Sequence, residues 1–140
     1  MGKKKVLVAL YILIILWITL FSREREPTRV FTGLFWEIEM GYWIDIRLNI
    51  LLFLPLGFLL GTVTDNWRIV LFGFILSVFV EFLQYIFAMG WCQADDVLNN
   101  TIGTAVGIGV WKMFSVSIEK WKNKRVWWPH INNSRSSKGK

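Results

Sequence analysis

The sequence predicts an all-α polytopic membrane protein, a four-transmembrane-helix bundle with an aromatic outer interfacial loop. Two observations carry this. Of the 140 residues, 54% are hydrophobic and only 19% are charged, against about 25% charge in a soluble domain. The deficit is concentrated in four nearly charge-free stretches of roughly 17 to 21 residues, the length that crosses about 30 Å of hydrocarbon at 1.5 Å per residue. Mean hydropathy of +0.45 agrees. Four such stretches leave little chain for a soluble catalytic domain, a nucleotide-binding domain or a repeat array.

The first span covers about 6–21 and follows Lys3-Lys4-Lys5. A basic start before an apolar run also describes a signal peptide. Phe21-Ser22-Arg23-Glu24-Arg25 offers no small-x-small cleavage site, so an uncleaved anchor is expected. The second span covers about 47–64, the third about 68–88 and the fourth about 97–116. Residues 1–116 thus form one membrane domain, and 117–140 form a basic tail rich in tryptophan. Trp121, Trp127 and Trp128 among Lys120, Lys122, Lys124 and Arg125 suit a juxtamembrane anchor to anionic lipid. Asn132–Lys140 is small, polar and basic, the composition of a disordered end.

Sixteen Lys and Arg against ten Asp and Glu give a net charge of +6. In a membrane chain such charge belongs to cytoplasmic flanks and anionic lipid, so nucleic acid is not the expected partner. Four spans put both termini on one side. That side carries twelve of the bases; Arg23, Arg25, Arg29 and Arg47 lie on the other. The positive-inside rule therefore predicts a multi-pass membrane protein with both termini cytoplasmic. The connection 22–46 then faces outward. Its Phe31, Leu34, Phe35, Trp36, Ile38, Met40, Tyr42 and Trp43 alternate with Glu37, Glu39 and Asp45, a mixture suited to the headgroup zone.

One cysteine, Cys92, and one histidine, His130, exclude an intramolecular disulfide and a multi-cysteine zinc site. They also argue against a zinc metalloprotease and against Ser/His/Asp or Cys/His catalysis. No phosphate-binding loop and no GxGxxG occurs. Neither metal nor cofactor is expected. Cys92, beside Asp95 and Asp96, lacks the positive neighbour that activates a thiol and reads as a small apolar filler.

Ionisable groups within spans are costly and mark function or a buried polar cluster. Glu81 is the clearest. Ser77, Glu81, Gln84, Tyr85 and Ala88 share one helical face, a polar stripe that must face the bundle interior or water. Pro55 frees the carbonyl of Leu51, which then needs a partner inside the protein. Gly57 with Gly61, and Gly103 with Gly107, form GxxxG faces that let helices approach closely. By depth, Asn49, Glu81, Gln84, Asp95, Asp96 and Asn100 gather in one half of the bundle, whichever way the chain is oriented. Two readings stay open. The groups are interhelical glue, with Asp95 and Asp96 capping the fourth helix. Or they form a binding site in which Glu81 and Asp96 are candidate acid/base residues.

These residues carry a family resemblance. Asn49-Ile-Leu-Leu-Phe53-Leu-Pro55-Leu-Gly57, Glu81-x-x-Gln84, and Asp95-Asp96 through Asn99-Asn100-Thr101 to Gly103 and Gly107 occur in order over about 45–111. The chain resembles the VanZ-like family of small bacterial membrane proteins. Two departures stand out. Many members carry an arginine in the third connection, which here reads Gly90-Trp91-Cys92-Gln93-Ala94, and an acid is frequent at the place of Gln93. Arg47 is the base offered in exchange. The family's namesake is associated with low-level resistance to teicoplanin, a lipoglycopeptide.

The resemblance therefore implies a role in teicoplanin resistance or envelope maintenance through an outward-facing polar cavity. The implied partners are membrane lipids and a lipoglycopeptide or a lipid-linked peptidoglycan precursor. Two alternatives are a membrane enzyme on such precursors and a small transporter acting as a homo-oligomer.

Overall fold

The computed structural model describes residues 2–21, 30–31, 33–64, 66–89 and 91–136, with side chains excepted at 31, 36 and 123–136. Among these residues, four helices are long and apolar enough to cross a membrane. α1 spans Lys3–Phe21. After the two-residue strand β1 (Val30–Phe31) and the single turn α2 (Trp36–Glu39), α3 runs Trp43–Val63. α4 follows a short 3-10 turn and covers Val70–Phe87. β2 (Cys92–Gln93) leads into α5, Ala94–Ser136.

Each span starts within a few residues of its expected place. α5 differs most, because it starts three residues earlier and continues well past 116. Residues 116–128 contain neither glycine nor proline, so nothing local stops the helix. Its backbone is helical to Ser136, through much of the stretch expected to be disordered. Residues 137–140 lie outside the described residues, as do the side chains of Trp127 and Trp128.

α3 and α5 run parallel and in close contact. A Cβ on Gly57 would strike the backbone of Thr104, and one on Gly107 the Leu54 carbonyl. On Gly103 it would strike the carbonyl of Ile50. Hydrocarbon gives helices no hydrophobic reason to associate, so such backbone approach and its van der Waals contact hold them together. α4 lies antiparallel on the same seam, with Gly73 facing the Thr104 side chain. Ile15, Phe53, Leu56, Leu60, Leu76 and Val80 fill the apolar centre. At the end where α1 begins and α3 stops, the Lys4 ammonium donates to the Thr62 carbonyl at 2.8 Å.

The Tyr11 hydroxyl donates to the carbonyl of Leu52, not Leu51, at 2.9 Å. The carbonyl that Pro55 leaves without its helical partner is the neighbouring one, of Leu51. α4 ends at Ala88, which is left-handed at φ 51°. The Met89 N–H then closes on the Gln84 carbonyl at 3.0 Å, as in a Schellman cap.

The opposite end of the bundle is polar, and there the connection after α1 folds onto it. β1 pairs in parallel with β2, Val30 beside Cys92 and Phe31 beside Gln93. This ladder joins two connections that the sequence reading treated as separate.

Candidate functional site

The polar end is organised by α5. Its first two acidic residues point to different partners. The Asp95 carboxylate accepts the backbone N–H of Phe35 at 2.7 Å and of Glu37 at 3.0 Å. It therefore serves the start of α2, where the N–H groups of Phe35 and Glu37 precede the first bonds within the turn, those of Ile38 and Glu39 to the Phe35 carbonyl. Phe35 holds a left-handed φ of 67° there, a conformation costly for a bulky residue. The capping role expected for Asp95 thus falls on a different helix from its own.

Asp96 faces inward and is 1% exposed. It accepts the side-chain amide of Asn49 from α3. Its other neighbour is Glu37, which hydrogen-bonds to it and is itself 2% exposed. The other side of Glu37 accepts the Asn99 side-chain amide at 2.7 Å. Burial, followed by the charge and hydrogen bond of Asp96 and then the charges of Asp95 and Asp45, pushes the Glu37 carboxyl up to about 8. At neutral pH Glu37 is predominantly protonated, and its hydrogen bond with Asp96 joins the two carboxyl groups.

Glu37 is the residue that the sequence reading missed. Its segment alternates aromatic and charged residues and reads as interfacial. Ile38, Met40, Tyr42 and Trp43 are indeed exposed. No local signal marks it: α2 is a single turn, and that Glu37 is its one described residue that turns inward is visible only in the fold.

The remaining candidates form a second row. Glu81 accepts the Gln93 backbone N–H at 2.9 Å. The Cys92 thiol also hydrogen-bonds to Glu81. Burial first, then Glu81 and Asp96, push this thiol up, so it stays protonated at neutral pH. Cys92 is thus a carboxylate's donor and not merely filler. Gln84 donates to the Thr19 carbonyl at 3.1 Å and ties α1 to α4. Asn100 donates to the Ser77 hydroxyl at 2.8 Å and ties α5 to α4. The oxygens of the Gln84, Gln93 and Asn100 side chains are buried without a donor.

All six sequence candidates therefore lie at one end of the bundle. Asp95, Asp96 and Glu81 are all buried, with α2 tied over the first two, and Asn49 and Glu81 border the clefts to either side. Two clefts flank them. One, of about 460 Å³, lies between α1 and α3 and includes Thr19, Asp45 and Asn49. The other, of about 500 Å³, lies between α4 and α5 and includes Glu81, Cys92 and Gln93. Arg47 is exposed and donates to the Trp43 carbonyl of its own helix at 3.0 Å. Among the described residues, no group of three or more His, Cys, Asp or Glu is arranged to hold a metal ion.

Asn49, Glu81, Gln84, Asp95, Asp96, Asn99 and Asn100 come from the three sequence blocks noted above, while Glu37 precedes them, and a family model described as VanZ/LLP1 matches residues 8–115. The chain belongs to that family. Among VanZ relatives, Protein VanZ of Enterococcus faecium is 27% identical over 140 residues, covering 90% of this chain and 83% of the relative. No solved structure matches the chain. The VanZ/LLP1 match begins after the basic start and ends before the tail, so it contains every residue of the polar end.

Proposed function

We propose that this protein sits in the bacterial cytoplasmic membrane with both termini cytoplasmic, and lowers the effect of a lipoglycopeptide such as teicoplanin at the outer surface. The observation that carries this reading is the acid–amide cluster of Glu37, Asn49, Asp96 and Asn99. It lies at the end of the bundle away from the basic termini. The likeness to Protein VanZ supports it. Its partners are membrane lipids and either the antibiotic or a lipid-linked peptidoglycan precursor.

The test is the inhibitory concentration of teicoplanin, with vancomycin alongside, in a susceptible Gram-positive host. Empty vector, wild type and Asp96→Asn are compared at matched membrane levels. Wild type alone should raise the teicoplanin value. Equal values for wild type and vector reject the reading. Full activity of both Glu81→Gln and Asp96→Asn makes the cluster structural glue.

A second reading is favoured by the hydrogen-bonded carboxyl pair of Glu37 and Asp96. Such a pair can act as general acid and base on a lipid-linked cell-wall precursor. Expression should then shift precursor composition by mass spectrometry, and an unchanged profile rejects it.

A further inference from the structure

The cleft between α1 and α3 sets an exposed carboxylate above an apolar trough. Its volume of about 460 Å³ lies within the range of small-molecule pockets, about 300–1,000 Å³. Asp45 stands at its mouth, in the first turn of α3. Ile18 of α1 and Leu48, Leu51 and Leu52 of α3 form the walls. Leu52 lies two turns below Asp45, about 10 Å along the helix. Leu48 and Leu51 are exposed on the flank, so an alkyl chain can enter sideways from lipid.

The polar groups of this cleft differ in what they already hold. The Tyr11 hydroxyl donates to the Leu52 carbonyl at 2.9 Å and the Thr19 hydroxyl to the Ile15 carbonyl at 2.8 Å. The Asn49 amide donates to buried Asp96. Asp45 is exposed, and among the described residues no lysine or arginine lines the cleft with it. Arg47, two places on, turns back to the Trp43 carbonyl at 3.0 Å. The acids behind the mouth carry the same sign: Asp96 lies beyond Asn49, and the charges of Asp96, Asp95 and Asp45 all reach Glu37. A cleft with one sign of charge and apolar walls concentrates ions of the opposite sign.

We propose that this cleft binds a single-chain amphiphile with an ammonium head, the ammonium against Asp45 and the alkyl chain along Ile18, Leu48, Leu51 and Leu52. Three features select this chemistry. The charge at the mouth favours a cation. The wall turns apolar at Leu48, one turn below Asp45, so the chain begins about 5 Å from the carboxylate. That leaves no place for a phosphate between ammonium and chain, and a phosphate there would meet Asp45 with like charge. A bare metal ion would leave the trough unfilled, and one exposed carboxylate supplies too few oxygen ligands for it.

This proposal goes beyond the resistance reading and does not rest on it. The assay contains no antibiotic, so the two can fail separately. Full-length protein is reconstituted in phosphatidylcholine vesicles, whose surface has no net charge to gather cations. It is photolabelled at pH 7 and low salt with hexadecylamine or with hexadecan-1-ol, each carrying a diazirine near the head. Peptide mapping gives the yield on the peptides holding Ile18 and Leu48. Dividing by the yield at Ile86, an exposed residue near the same end of α4, corrects for partitioning into the bilayer.

The amine should exceed the alcohol about fivefold in this ratio, the upper end for an exposed ion pair. Asp45→Asn should bring the amine down to the alcohol's ratio. Leu48→Trp, which fills the trough below the carboxylate, should lower the amine's ratio as well. Equal ratios of amine and alcohol on the wild type overturn the proposal, since ordinary lipid chains filling the cleft give that result. So does an amine excess that either substitution leaves unchanged. If a variant loses its cooperative melt, the wild-type comparison of amine with alcohol decides.

Discussion

Glu37 lies 2.7 Å from the side-chain amide of Asn99, although 62 positions separate them in the chain. This contact, with the Asp95 bonds to Phe35 and Glu37, ties the short helix α2 to the first turns of α5. The polar end is therefore one connected unit. α5 supplies Asp95, Asp96, Asn99 and Asn100, and the other elements bring one partner each. Such networks hold when every member is satisfied and weaken together when one is removed.

Asp95→Ala should free α2. Two backbone N–H groups lose a charged acceptor, and a hydrogen bond to a charged group is worth about 1.5–3 kcal/mol. A loss of about 2–4 kcal/mol is expected, since the two bonds share one carboxylate and water replaces part of each. Hydrogen exchange over residues 35–39 should accelerate while α3 and α4 stay protected. Asp95→Asn keeps one acceptor oxygen and should fall between. Unchanged exchange in Asp95→Ala would mean that α2 is held by its apolar contacts alone.

Stability should fall as pH rises from about 4.5 to about 8. The Glu37 carboxyl is raised from 4.5 to about 8, first by burial and then by Asp96, Asp95 and Asp45. Within that window the folded chain holds a proton that the unfolded chain has released, so folding weakens with each step in pH. Below about 4.5 the contribution is fully present, and above about 8 it is gone. Thermal melts at pH 5, 7 and 9 in one detergent should show the decline. Glu37→Gln cannot ionise and should flatten it; parallel profiles for the two proteins would assign the decline to another group.

Gly107→Val should be severe and Gly109→Ala nearly silent. A Cβ at 107 meets the Leu54 carbonyl and the Phe58 backbone nitrogen, neither of which can turn aside. The same atom at 109 meets nothing within 4 Å. Overpacking costs about 1–3 kcal/mol or more, and here two helices must separate to relieve it. The loss of folded protein on titration with denaturing detergent measures this. Equal resistance of the two variants would place the α3–α5 seam elsewhere.

The four spans were legible because they depend on length and composition alone, and the bilayer enforces both. The gathering of Asn49, Glu81, Gln84, Asp95, Asp96 and Asn100 at one end was legible too, since depth along an antiparallel bundle follows from counting residues. So were the glycines, whose spacing marks helix faces. Partner choice was not. Asn49 could have met Glu81 as readily as Asp96 on spacing alone, and the helix rotations that decide between them come from the Gly57 and Gly107 contacts.

What the sequence by itself determined is the class of solvent, the number of crossings and the polar end, because each follows from a local run of residues. What only the tertiary structure decided is that α2 folds back over that end. Glu37 stands in a segment that reads as interfacial by every local measure, and its burial depends on an aspartate 58 positions away. A contact of that span is set by how the helices pack, and no window along the chain contains it.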